Sequence, residues 1–389
     1  MDYNKQPLRQ KLKKVLRYCR LYGIGRTYIK VRSQKHLSRI YDTLPLSNKS
    51  ARESQSVAII GCGNYAYSTI AYYLHKHRGN VFRSCYDIDA NRAASLFEDY
   101  RFAQYVRDPR EIYMDPGVKL VYISSNHSSH AEYAVGALSE NKSVFIEKPH
   151  VVNESQLARL VDAMMRSRGK VFLGFNRRAS RFGRIISDVL DREQGPGMYN
   201  WFVVGHQLDK DHWYFKPEEG GRVIGNLCHW SDHLLSIVKK AHPIRIRALG
   251  EAASASDVIV TYAFADGTLG VITFSCKGNP FEGIRERFSG HKGNCLVSMD
   301  DFQTLKVEIA DKKTIYRNFY RDQGHKANIL AAFDNVVRDG PYDREKQCEY
   351  IWNTGMLFLK TREALETGNT LILDSFDMKM WMGHDKVIQ

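Results

Sequence analysis

The chain has 389 residues, 43% hydrophobic and 26% charged, a balance that excludes a disordered chain and leaves room for two domains with cores of their own. Its seven cysteines are scattered, with no C-x-x-C pair and no metal-ligand spacing, which argues against a disulfide framework or a metal site and for a reducing, cytoplasmic compartment. The formal net charge of +14 is concentrated near the start, where residues 1–39 hold twelve Lys and Arg against the single acid Asp2.

Within that basic segment Leu8, Leu12, Val15, Leu16 and Cys19 recur at helical spacing, which predicts a basic amphipathic helix. Packing on its own body or on a partner subunit is the first expectation for residues 5–39. Docking on an anionic membrane surface, at the inner membrane face, is the second. Nucleic acid is not expected, because no stacking or groove-reading motif accompanies the charge. The segment has no apolar leader, and no window approaches the run a spanning helix needs, so neither export nor a transmembrane anchor is expected.

A polar stretch, SNKSARESQS at 47–56, marks a boundary. Beyond it short apolar runs alternate with helical stretches. Strands are predicted at Val57 to Ile60, Val81 to Asp87, Leu120 to Ser124 and Ser143 to Ile146, with helices from about Tyr65, Asn91 and Ser129. Asn153 and Gln156 read as a cap opening another helix, and KVFLGF as a last strand. This repetition predicts a parallel sheet covered on both faces. Beyond Asn176 the pattern turns β-rich, with a hairpin around Asp266-Gly267, and helices return at Gly324 to Arg338 and Arg344 to Thr367. The expected fold class is α/β: residues 1–50 an amphipathic helical extension and linker, 51–175 a Rossmann dinucleotide-binding domain, and 176–389 an α+β domain with a large, mostly antiparallel open sheet for substrate binding and oligomerisation.

Gly61-Cys62-Gly63-Asn64-Tyr65-Ala66 is G-x-G-x-x-A at the first strand–helix junction. The first glycine permits the turn, the second lets a diphosphate approach the backbone, and the small third residue lets helix pack on strand. Asp87 ends the second strand, where a carboxylate binds the adenosine ribose hydroxyls and repels a 2′-phosphate. NAD is therefore the expected cofactor; Arg92 nearby keeps NADP open as the lesser alternative.

With these motifs stand SSNHSSH at 124–130, EKP at 147–149, GFNRR at 174–178, CHWSD at 228–232 and FADGT at 264–268. Together they resemble the Gfo/Idh/MocA oxidoreductases, relatives of glucose-fructose oxidoreductase and inositol dehydrogenase, over about residues 56–375. The stretch from Asp211 to His229, taken with GFNRR, is similar to a bacterial branch associated with surface-polysaccharide and nucleotide-sugar genes.

The resemblance implies that Lys148 lies beside the nicotinamide and the hydroxyl being oxidised, with Glu147 in the same loop. An ammonium there stabilises developing alkoxide charge and relays a proton. Ser124, Asn126 and His130 are assigned to the nicotinamide half of the cofactor, although His130 could equally cap its helix. His229 is the second catalytic candidate. Relatives carry an acid four residues before that histidine, where this chain has Gly225 followed by Asn226. Asp232 could orient the His229 ring or serve the fold. Asn176, Arg177 and Arg178 suit an anionic substrate, and His212 and Trp213, with Asn226 and His229, a sugar ring. The expected activity is hydride transfer between NAD(P) and a secondary hydroxyl or ketone of a sugar or nucleotide-sugar, in a homodimer or homotetramer, within polysaccharide biosynthesis. The alternative is a catalytically weak or inactive cofactor-binding scaffold or sensor of a polysaccharide-assembly complex.

Overall fold

The computed structural model describes residues 7–47, 50–209, 212–239, 242–251, 256–278 and 283–376. It divides into two compact units. The first comprises Met1–Val151, Ala158–Arg181 and Asn318–Pro341; the second comprises Val152–Leu157, Phe182–Arg317 and Tyr342–Gln389.

The chain opens with α1 (Leu8–Tyr22) and α2 (Ile24–Ser38), separated at Gly23, whose φ is +84°. A Rossmann sheet follows: β1 (Val57–Ile60), a π-helical segment (Ala66–Ala71) running into α3 (Tyr72–Arg78), β2 (Phe82–Tyr86), α4 (Ala90–Tyr100), β3 (Gln104–Tyr105), α5 (Pro109–Met114), β4 (Leu120–Ile123), α6 (His130–Ser139), β5 (Ser143–Ile146), α7 (Glu154–Arg166) and β6 (Val171–Leu173). All pairings are parallel, in the order β3-β2-β1-β4-β5-β6. Every residue of β1, β4 and β5 is buried. That explains their unbroken apolar sequences, since a parallel sheet with two covered faces has no solvent side for polar residues to alternate onto. The predicted cap of α7 is present in altered form: Asn153 Oδ1 accepts from Gln156 N at 2.8 Å, while the Gln156 amide oxygen accepts from Val152 N at 2.9 Å.

The second unit takes α8 (Arg181–Asp191) from its second residue, then β7 (Gly197–His206), α9 (Cys228–Val238), β8 (Ile244–Gly250), β9 (Asp257–Phe264), β10 (Leu269–Gly278), β11 (Arg285–Lys292), β12 (Cys295–Asp300), β13 (Thr304–Ile309) and β14 (Lys312–Arg317). After α10 (His325–Val337) come α11 (Arg344–Thr367) and β15 (Leu371–Leu373). The nine-stranded sheet runs β14-β13-β12-β11-β7-β10-β9-β8-β15 and is antiparallel except where β7 meets β10. Burial alternates along it, as a sheet with one covered face requires. The covered face holds Trp201, Tyr262 and Phe274, and the Tyr262 hydroxyl meets Thr361 Oγ1 of α11 at 2.9 Å. The open face carries Met198, Phe202, Ile259, Leu269 and Leu296.

Two placements differ from the sequence reading. Residues 176–181 and 318–341, assigned above to the second domain, belong to the first unit, and 152–157, assigned to the Rossmann domain, to the second. In the first unit α10 is fixed by a bidentate Arg78–Asp334 pair and by Tyr122 Oη donating to Ile329 O at 2.8 Å. The leucine stripe of the N-terminal helix is also not its packing face: Leu8, Leu12 and Leu16 are exposed, and Leu21 on the other side is the buried residue of α1. It is α2 that docks on the first unit, through Ile29, His36 and Lys30. Among the described residues no helix is long and apolar enough to cross a membrane.

Candidate functional site

The glycine turn has the geometry its sequence implies. Gly61 sits at φ +84°, and a Cβ there would stand 2.4 Å from Ser125 N and 2.6 Å from Ser124 C. At Gly63 a Cβ would meet nothing within 4 Å. One glycine is thus demanded by the protein itself. The other leaves open the space beside the first helical turn, where a diphosphate accepts backbone N–H groups. Ala66 is fully buried at the start of the π-helical segment.

The Asp87 carboxylate faces that turn, accepting from Cys62 N at 2.6 Å and from Asp89 N at 2.8 Å. Burial nonetheless pushes its pKa up, against the pull of those two N–H groups and of Arg92. An ionised carboxylate has about four acceptor positions, so capacity remains for ribose hydroxyls. Arg92 pairs with Asp89 at 3.3 Å on a half-exposed surface.

A polar cluster forms at the carboxyl ends of β5 and β6 in the same unit. Glu147 is buried, and desolvation raises its pKa despite the nearby Lys148 charge and a hydrogen bond from Tyr65. Its Oε2 accepts from Lys148 N at 3.1 Å. The Tyr65 hydroxyl also meets His325 Nδ1 at 3.0 Å, and His325 Nε2 lies 3.3 Å from Asn176 Nδ2. Burial, then the charges of Arg177, Arg26 and Lys148, hold the His325 pKa well below its ordinary value. The ring is therefore neutral at pH 7. One neutral tautomer fits both ring contacts: Nδ1–H donates to the Tyr65 oxygen and Nε2 accepts from Asn176.

His325 was not anticipated from the sequence. The helix it opens was predicted, yet nothing local shows that its first turn lies against a loop 150 residues earlier.

Several candidate ligands prove to be engaged in holding the fold. His130 is buried, its Nδ1 at 2.7 Å from Pro149 O and its Nε2 at 3.2 Å from Ser125 O, so the ring spans two loops. Ser124 Oγ donates to Gly61 O at 3.0 Å. Asn126 is exposed and bonded to Ser128 and Ser129. Asn176 is buried, with Nδ2 donating to Gln323 O at 2.7 Å and Oδ1 accepting from Arg177 Nη1 at 3.0 Å. These bonds tie the residues after β6 to the segment before α10. Arg177 is buried, and Arg178 is the exposed cation of the three. The Asn64 side chain is taken by α2, leaving its backbone N–H for a ligand.

In the second unit His229 is buried on α9 with its ring 6.0 Å from that of Trp230. Gly225 lies in a π-helical segment, Val223–Leu227, immediately before it, and Asn226 Oδ1 accepts from Arg222 Nη1 at 3.0 Å. Asp232 accepts from the Tyr350 hydroxyl at 2.7 Å, a bond to α11 that gives this acid a place in the fold. His212 caps a short helical turn by accepting from Tyr214 N at 3.2 Å and stacks on Trp213 at 5.8 Å. Among the described residues no group of three or more His, Cys, Asp and Glu is arranged to hold a metal ion.

Comparison with known proteins agrees with this geometry. Residues 55–175 match the sequence model of the Gfo/Idh/MocA oxidoreductases, described as an oxidoreductase family with an NAD-binding Rossmann fold. The myo-inositol 2-dehydrogenase of Thermotoga maritima is 21% identical over 272 residues, which cover 65% of this chain and 80% of that protein. The inositol 2-dehydrogenase of Gluconacetobacter diazotrophicus is 31% identical over 219 residues, 49% of this chain and 65% of that protein. Among solved structures, levoglucosan dehydrogenase in complex with NADH and L-sorbose superposes with a TM-score of 0.69 at 16% identity, covering 82% of this chain and 99% of that one; at that identity the likeness is one of fold. With the glycine turn, Asp87 and the residues at the end of β5 in place, residues 55–175 form an NAD-binding Rossmann domain like that of the Gfo/Idh/MocA oxidoreductases.

Proposed function

We propose that the protein interconverts a secondary alcohol and the corresponding ketone of a sugar or nucleotide-sugar. The observation that carries this reading is the cluster Tyr65–Glu147–Lys148–His325, a cation beside a buried acid and a neutral imidazole in the same unit as the glycine turn. Its relatives' names, inositol dehydrogenases among them, support a polyhydroxylated substrate.

NAD, when bound, supplies the hydride acceptor. Gly61, Gly63 and the backbone at Asn64 receive its diphosphate, and Asp87 holds the adenosine ribose. Lys148 would stabilise negative charge on the substrate oxygen, and His229 is the residue proposed as general base for a hydroxyl proton. Arg178 and Trp213, both exposed, are the substrate ligands proposed for an anionic group and a sugar face. The apolar open face of the second-unit sheet is the proposed homo-oligomer contact.

The test is turnover. Purified protein with NAD is offered cyclic polyols, sugars and nucleotide-sugars, and appearance of reduced nicotinamide is followed by absorbance. Formation with at least one secondary alcohol is expected. Measurable NAD binding with no turnover across the set would replace this reading with that of a cofactor-binding scaffold.

A further inference from the structure

The N-terminal helix α2 lies outside the family match, which begins at residue 55, yet it is bonded to the glycine turn at three points. His36 Nε2 meets Cys62 O at 2.7 Å, with its Nδ1 at 2.9 Å from Ser95 Oγ and its ring stacked 4.5 Å from Tyr67. Ser33 Oγ accepts from Asn64 Nδ2 at 3.1 Å. Lys30 Nζ donates to Asn64 Oδ1 at 2.5 Å. One helical turn earlier on α2, Arg26 donates to Ser68 O within the π-helical segment and lies over the Tyr72 and Tyr73 rings.

Lys30 is in an expensive place for a cation. Its ammonium is bonded to Asn64, the first residue of the helix that follows the glycine turn, where the peptide dipoles present partial positive charge. Arg26 is its cationic neighbour, and among the described residues no carboxylate lies within ion-pair distance of it. Burial and the Arg26 charge lower its pKa to about 8. An ammonium without a counter-charge beside a phosphate-binding turn is balanced when an anion arrives.

We infer that α2 is a working part of the cofactor site: the Lys30 ammonium, positioned by Asn64, supplies the positive charge that faces the diphosphate of the bound dinucleotide. The inference rests on the dinucleotide reading of the glycine turn and adds to it a residue from outside the family domain. Asn64 is then a positioning residue, its amide spent on Lys30 and Ser33 while its backbone N–H remains for the phosphate.

The test is calorimetric titration of the full chain with NAD and, separately, ADP-ribose, which keeps the diphosphate and lacks the nicotinamide. Lys30→Gln, which retains a donor for Asn64 and removes the charge, is expected to weaken both ligands by about tenfold or more. Lys30→Arg is expected to hold both within about threefold of wild type. The unliganded melting temperature of Lys30→Gln should stay at the wild-type value, since a purely structural role would lower it without touching affinity. Wild-type affinity for both ligands in Lys30→Gln overturns the inference. A wild-type protein that binds neither ligand would sink the dinucleotide assignment itself, and this inference with it.

A separate observation concerns α1. Leu8, Leu12 and Leu16 form an exposed stripe, and Arg9, Lys11, Lys13, Lys14, Arg17 and Arg20 lie on the same helix with no acid among them. We further propose that this face docks on an anionic lipid surface. A second copy meeting it through the same face would set cation against cation, whereas acidic headgroups complement the charge and the acyl boundary takes the leucines. The full chain is expected to co-sediment with phosphatidylcholine vesicles containing phosphatidylglycerol, but not with phosphatidylcholine alone. Replacing Leu8, Leu12 and Leu16 together by serine should abolish binding, and high salt should weaken it. No co-sedimentation, or undiminished binding by the triple variant, overturns the proposal; so does self-association that the triple variant abolishes.

Discussion

Replacing Lys148 by methionine is expected to lower kcat by about 10² to 10⁴ while leaving NAD affinity within a few-fold of wild type. The residue follows β5 and is half-exposed, and its backbone N–H donates to Glu147 Oε2 at 3.1 Å, a contact that a methionine of similar length keeps. What it removes is charge. Lys148 is one of the cations that lower the pKa of both Glu147 and His325. Its loss therefore lets both pKa values rise: Glu147 holds its proton to higher pH, and His325 becomes easier to protonate. The acid limb of the kcat profile should move to higher pH in the variant, which a purely steric lesion would not do. Rates measured across pH with the best substrate of the set check this, with NAD titration beside them. An unchanged kcat would remove Lys148 from the chemistry.

The Rossmann half was legible because burial on both faces leaves a plain mark: VAII, LVYI and SVFI lack polar alternation, as parallel strands covered on both faces do, and helical stretches separate them. β3 went unread because Gln104-Tyr105 is two residues long and has no period. The return of residues 318–341 to the first unit was invisible for a different reason. A helix announces its own periodicity, but which body it joins is decided by partners far along the chain, here Asp334 with Arg78 and Ile329 with Tyr122. The same limit hid His325 and the tertiary bonds of His130 and Asn176, whose side chains reach backbone atoms that no motif specifies. In α1 the leucine stripe was correctly seen as a stripe. Periodicity alone does not say whether such a face is covered, and the buried contact fell to Leu21 on the opposite side.

Gly61→Ala and Gly63→Ala are expected to separate stability from binding within one turn. At Gly61 the backbone has φ +84°, a conformation that costs a Cβ-bearing residue about 1–2 kcal/mol. The added carbon would also stand 2.4 Å from Ser125 N, and that neighbour has little freedom to retreat. Ser124 N donates to Ile60 O at 2.8 Å, Ser124 Oγ donates to Gly61 O at 3.0 Å, and Gly61 N donates to Tyr86 O at 2.9 Å. Overpacking of this kind typically adds about 1–3 kcal/mol, so Gly61→Ala should destabilise the protein by roughly 2–5 kcal/mol in all. Its melting temperature should fall clearly, with cofactor binding lost as a consequence. At Gly63 the φ is not positive and a Cβ meets no protein atom within 4 Å, so the unliganded melting temperature should hold. The methyl group instead occupies space that the diphosphate needs to reach the helix N–H groups, and NAD affinity is expected to fall by about tenfold or more. Thermal denaturation without ligand, paired with NAD titration, measures both effects on the same samples. If Gly63→Ala binds NAD as well as wild type, the diphosphate does not lie over this turn.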